Sequence, residues 1–328
     1  MINPGSFLKL CLLACLLATL SACQQIPLPQ TAQAGPHSPE APELKAAPQT
    51  NETYGPPTKL GNLADPAINE SSGIVASRTS PGLYWTHNDS GDGPFIYAFD
   101  NRGARRGVWR VTGADARDWE DIAAGPGPVR GTNYLYIGDI GDNSGSRADV
   151  VVYRVPEPAI RAEDAQSTKR KPRATEAAEA IRLRYPDGAH DAEALLVHPV
   201  TGNIYIITKT PFADPSIYEV DAPQKTDRTT TLVRVAKLNV PSLLGGIITG
   251  GDISPDGRRV ALCDYIQGYE IVLPDARGAF NQIWKQPLKT IALGARRQGE
   301  GIGYRLDGRA LLTTSEGLHS PLNQVVRR

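Results

Sequence analysis

Apolar positions in this chain cluster in short runs of β-branched and aromatic residues, bounded by Gly, Pro, Asp and Asn. Such runs read as strands joined by tight turns. Examples are Leu83-Tyr-Trp85, Leu135-Tyr-Ile137, Ile204-Tyr-Ile-Ile207, Val260-Ala-Leu262 and Ala310-Leu-Leu312. Before each lies a short phrase with a polar start, a small residue and an aliphatic end. The phrases are Glu70-Ser-Ser-Gly-Ile74, Asp118-Trp-Glu-Asp-Ile122, Asp191-Ala-Glu-Ala-Leu195, Thr249-Gly-Gly-Asp-Ile253 and Gln298-Gly-Glu-Gly-Ile302. Their aliphatic ends are spaced by roughly 48, 73, 58 and 49 residues, near the period of a propeller blade.

Each repeat also has a third run, and the first four have a fourth. The third runs are Phe95–Phe99, Val150–Tyr153, Ile217–Val220, Tyr269–Leu273 and Leu322–Val326. The fourth are Gly107–Val111, Ile181–Tyr185, Leu232–Ala236 and Leu288–Ala292, with none after the last repeat. An unmatched run, Lys59–Leu63, precedes the first phrase. If it completes the last blade, the ring closes and no raw sheet edge is left. The predicted fold is an all-β, five-bladed β-propeller closed by an N-terminal strand. The count becomes six if a degenerate blade lies in the long second interval. That interval holds a charged insertion near 157–179, which reads as a loop or short helix. The 32 Gly and 27 Pro suit an architecture of many short strands and turns.

The first 22 residues read as a targeting segment. An apolar run from Leu10 to Leu20 is short for a membrane span. It ends in Leu20-Ser-Ala-Cys23, which resembles the lipobox of bacterial lipoproteins. The resemblance implies cleavage before Cys23 and lipidation of its thiol. Residues 23–57 are rich in Pro and Ala and read as a disordered tether, leaving 58–328 as the propeller domain. The expected location is the cell envelope, lipid-anchored and extracytoplasmic, at the outer membrane in a diderm host. Membrane contact would be through the anchor alone. Cys11 and Cys15 would leave with the signal, so Cys263 remains as a lone thiol without a disulfide partner. Charge is balanced at 35 basic and 35 acidic residues, which argues against nucleic acid as a partner.

Candidate chemistry sits at one end of the strands. Alternation puts Glu120, Glu193 and Glu300 on one face of the first strands, with Asp118 and Asp191 two residues before the first two. The ends of the second strands align as His87, Asp139, Lys209, Asp264 and Glu316. Loops just beyond add Asp89, Asp142 and Asn143. In an antiparallel sheet both sets gather on one rim of the central channel. Glu120, Asp191, Glu193 and Glu300 are the candidate metal ligands. Glu120, Glu193, Glu300 and Lys209 are the candidates for catalysis, and His87, Asp89, Asp139, Asp142, Asn143, Asp264 and Glu316 those for ligand binding. Oxygen donors of this kind suit Ca²⁺, while the five scattered His and the Cys spacing do not suit zinc.

The phrases Glu70-Ser-Ser-Gly-Ile74, Trp85-Thr-His-Asn-Asp-Ser-Gly-Asp92, Asp118-Trp-Glu-Asp-Ile-Ala123, Gly138-Asp-Ile-Gly-Asp-Asn143, Asp191-Ala-Glu-Ala-Leu195 and Gln298-Gly-Glu300 together resemble a family of exported bacterial β-propeller lipoproteins. They are more loosely similar to phytase-like and other calcium-binding propellers. The family resemblance implies an Arg-Thr-Tyr phrase in the fourth repeat, where this chain has Cys263-Asp-Tyr265. That departure puts phosphate-ester chemistry in doubt. The expected function is binding of a small molecule or envelope component at an acidic, calcium-bearing channel mouth. A metal-dependent hydrolase of a phosphate ester or similar polar substrate is the alternative, and a paired-carboxylate glycosidase a further one.

Overall fold

The computed structural model describes residues 53–242, 245–275 and 278–328. The expected signal segment, Cys23 and the expected tether up to residue 52 lie outside the described residues. Five four-stranded antiparallel blades follow one another along the chain. Blade one comprises Ser71–Ala76, Leu83–Asn88, Phe95–Asp100 and Arg105–Thr112. Blade two comprises Trp119–Pro126, Asn133–Asp139, Val150–Pro156 and Glu179–Arg184. Blade three comprises Ala192–Val197, Ile204–Thr208, Ser216–Val220 and Val233–Lys237. Blade four comprises Gly250–Ile253, Arg259–Cys263, Gly268–Val272 and Lys289–Ile291. Blade five takes Gly299–Tyr304, Ala310–Ser315 and Pro321–Val326, and its outer strand is Thr58–Asn62. The closing strand pairs Thr58 with Gln324 and Asn62 with Pro321, as the unmatched first run implies. Among the described residues, no helix is long and apolar enough to cross a membrane.

Five apolar clusters hold the ring together, one at each junction between blades. Between blades one and two, Trp85 and Trp109 meet edge-on with centroids 4.8 Å apart, beside Trp119 and Leu135. Trp85 is fully buried, so its indole N–H needs an acceptor. Glu157 supplies one at 2.9 Å and also accepts the backbone N–H groups of Arg78 and Thr79. A carboxylate at the start of the insertion thereby pins blade one to blade two.

Two boundaries differ from the sequence reading. The folded region already includes Tyr54, whose ring is buried at the junction of blades four and five and whose hydroxyl donates to Glu270 at 2.6 Å. The insertion contains a 3-10 turn, Ala162–Gln166, and then a strand, Arg173–Ala177. This strand adds in parallel to the outer edge of blade one. Only Thr175 of its five residues is buried, so no apolar alternation betrays it. Backbone pairing with an otherwise open edge forms it instead.

Candidate functional site

The inner strands carry the five phrases, and each lies against the inner strands of its two neighbours. Four of the five have a β-bulge at the same place. Pairing skips Ser72 in blade one, Glu120 in blade two, Glu193 in blade three and the Glu300–Gly301 step in blade five. Blade four, with Gly251 there, pairs without a skip. A bulge inserts one unpaired residue and re-aims its side chain. Three carboxylates are thereby placed at the inner wall, each only 1% exposed.

The bulges also shift what lies opposite. The backbone N–H groups bonded to the phrase-start carbonyls of Glu70, Asp191 and Gln298 are those of Asp89, Lys209 and Glu316. Asp89, rather than His87, is therefore the blade-one counterpart of Lys209 and Glu316. A single antiparallel bridge between Glu70 and Glu316 then draws the ends of blades one and five together.

Asp89 becomes the hub of two carboxylate groups. Oxygens of Asp89, Glu300 and Glu316 lie within 4.8 Å of one another, and so do oxygens of Asp89, Asp118 and Glu120. The second group converges on a bare α-carbon. A Cβ added to Gly141 would fall 2.2 Å from Glu120 Oε1 and 2.5 Å from Asp118 Oδ2. Ionised carboxylates at this spacing repel one another, and most of these are shielded from water. A hard cation among them removes that repulsion, and an all-oxygen donor set is what Ca²⁺ takes. The residues present fit such an ion.

The other predicted residues lie outside both groups. Glu193 forms an ion pair with Lys209, whose ammonium sits 5.4 Å from the centre of the Tyr265 ring. Asp191 accepts the Asp142 backbone N–H at 2.8 Å. Asp139 is in a buried ion pair with Arg147 at 2.7 Å, and Arg147 also donates to the Gly141 carbonyl. Asp142 folds its own loop. Burial raises its pKa, but the N–H groups of Ser146 and Arg147 outweigh that and hold it below the usual carboxylate value. Asn143 is exposed. Asp264 accepts the Ile266 and Gln267 backbone N–H groups and the Tyr269 hydroxyl, which makes it a turn-former. His87 is fully buried against Trp119, and burial pushes its pKa down, so the ring is neutral near pH 7.

Three relevant residues escaped the sequence reading. Gly141 and Arg147 shape the blade-two loop, and their only signal was proximity to Asp139 and Asp142. Arg296, two residues ahead of the fifth phrase, lies beside the Cys263 thiol, whose pKa burial pushes up to about 11 while the Arg296 charge pulls it down.

No family model and no curated protein matches the chain. Among solved structures, the PQQ-bound form of an aldose sugar dehydrogenase from Streptomyces coelicolor is similar, with a TM-score of 0.48 and 10% identity. The similarity covers 86% of this chain and 100% of that one. It carries no chemistry over to the channel rim described above.

Proposed function

We propose that this protein binds a polar ligand at the channel mouth through a hard divalent cation, Ca²⁺ first among them. The observation behind this reading is the sharing of Asp89 between two carboxylate groups on neighbouring blades. Asp89, Asp118, Glu120, Glu300 and Glu316 would hold the ion. When bound, it would supply a positive centre able to take an oxygen of the ligand. The ligand would be a small molecule or an envelope component, and nucleic acid is not part of the proposal. Lys209 fits a counter-ion for Glu193 better than a base, given their pairing. The hydrolase and glycosidase readings have no separate observation in their favour. A lipid anchor at Cys23 in the cell envelope belongs to the same proposal, and loss of lipid labelling in C23A tests it.

A thermal shift measurement tests the cation. An ion present at about 100 times its Kd stabilises a protein by about 2.7 kcal/mol. Millimolar Ca²⁺ should raise the melting temperature of the wild type and leave D89N unmoved. E193Q, outside both groups, should respond like the wild type. An equal response in D89N would refute the site.

A further inference from the structure

The rim is not acidic all the way round. Between blades three and five it carries two cations, Lys209 and Arg296, on either side of Tyr265. Lys209 lies over the Tyr265 ring, and the Tyr265 carbonyl accepts the Gly299 N–H at 3.2 Å. Arg296 lies across Gly299 itself. A Cβ added there would fall 2.2 Å from the Arg296 Cζ, so the bare α-carbon leaves the guanidinium its place. The next residue is Glu300, a member of the Asp89 cluster.

Arg296 is poorly matched to its surroundings. Its Nη2 donates to the Asp264 carbonyl at 3.1 Å. Its Nε and Nη1 are buried without a hydrogen-bond partner of good geometry, and the guanidinium's remaining neighbour is the Cys263 thiol, a weak acceptor. The Asp264 carboxylate, the nearby acid of the same turn, is taken up by Ile266, Gln267 and Tyr269. A guanidinium offers planar donors suited to two oxygens at once. A buried donor left unmade costs about 1–3 kcal/mol, and more when charged. Arg147 on blade two shows the contrast, with Asp139 and the Gly141 carbonyl as acceptors.

We propose that Arg296 is the anion-holding group of the channel mouth, and that the ligand is an oxyanion, a carboxylate or a phosphate. The oxyanion would lie between Arg296 and the cation at Asp89. This rests on the cation reading above and adds the ligand's charge class and a recognition residue. It also accounts for the rim's asymmetry, since a cation-bound anion needs acids on one side and a base on the other.

Isothermal titration of the purified protein with inorganic phosphate and, separately, acetate tests it, each with saturating Ca²⁺ and again with EDTA. The wild type should bind at least one anion, and the preference between the two names the group. R296Q should weaken that binding at least tenfold and leave Ca²⁺ affinity within twofold. R296K should recover part of the loss. R297Q removes the same charge from the exposed neighbour and should bind like the wild type. Equal anion binding by R296Q, an equal loss in R297Q, or no anion binding by the wild type would overturn the proposal. Anion binding that depends on Arg296 but persists unchanged in EDTA would uphold the Arg296 assignment and overturn the cation reading. Should R296Q fold poorly, R296K decides, because it keeps the charge and loses the planar fork.

Discussion

Asp121 on blade two accepts the backbone N–H of Leu195 on blade three at 3.0 Å. The same carboxyl accepts the N–H of Ile122 at 2.8 Å and reaches the N–H of Gly251 on blade four at 3.3 Å. One buried side chain therefore ties three inner strands together. Blade four repeats the device, with Asp252 accepting the Tyr304 N–H of blade five at 2.8 Å. Where blades one and two meet, the Ser72 hydroxyl donates to the Glu120 carbonyl instead. The position just before the aliphatic end thus links inner strands where it is Asp121 or Asp252, and at Gly73 it is a gap that lets them approach. A Cβ on Gly73 would fall 2.6 Å from Asp121 Oδ1.

D121A should therefore be strongly destabilising. It strands buried backbone donors on blades two, three and four, each worth about 1–3 kcal/mol. A loss of about 3 kcal/mol or more is expected from the midpoint of urea unfolding. A midpoint within error of the wild type would mean that Asp121 links nothing.

Asp252 makes stability depend on pH. Burial pushes its pKa up to about 7, against the Tyr304 N–H, the Arg78 charge and the Ile253 N–H, which lower it. In the unfolded chain the carboxyl returns to about 3.9. Between these values the native state holds a proton that the unfolded state has released. Stability should accordingly be greatest below about pH 4 on this account and fall as pH rises towards about 7. Asp121, whose pKa burial also raises, contributes in the same direction. D252N should flatten this slope when melting temperatures are compared at several pH values in EDTA. A D252N profile parallel to the wild type would assign the slope elsewhere.

The repeat, the strand order and the closing strand were legible because each rests on local apolar runs at a regular spacing. The rim was half legible. Alternation found Glu120, Glu193 and Glu300, but strict alternation has no place for a bulge. The skip at Ser72 sets Asp89 rather than Ser90 opposite Glu70, and that register decides which carboxylates meet. Nothing local marks a bulge at Glu120, because it becomes visible only when the second strand is laid beside the first. Arg296 stands in a loop before the Gly299–Tyr304 strand, where no periodicity operates. Its position depends on Gly299 and on the Asp264 turn of another blade.

Glu193 and Lys209 make a pair whose worth lies in being intact. Their side chains are 1% and 9% exposed. Removing one partner from such a pair leaves an uncompensated charge and costs about 3–5 kcal/mol, whereas replacing both can be nearly neutral. K209M should therefore lower stability by about 3 kcal/mol, and K209M with E193Q should recover most of it. Denaturation of the two single variants and the double variant gives the coupling directly. A double variant no more stable than K209M would show that the two side chains do not depend on each other. Neither change should alter the response to Ca²⁺.

Gly141 offers a way to disturb the carboxylates without touching them. Its φ is not in the left-handed region, so alanine suits the backbone, and what a methyl group meets is the Glu120 and Asp118 carboxylates. Both are ends of side chains and can move, so the fold should survive with an overpacking cost of about 1–3 kcal/mol. The moved oxygens can no longer converge with Asp89. G141A should therefore melt only modestly lower than the wild type in EDTA, yet lose most of the stabilisation by millimolar Ca²⁺. D89N should lose it completely, because it disables both groups, while G141A leaves Glu300 and Glu316 in place. A full Ca²⁺ response in G141A would remove Glu120 and Asp118 from the site and confine the ion to the junction of blades one and five.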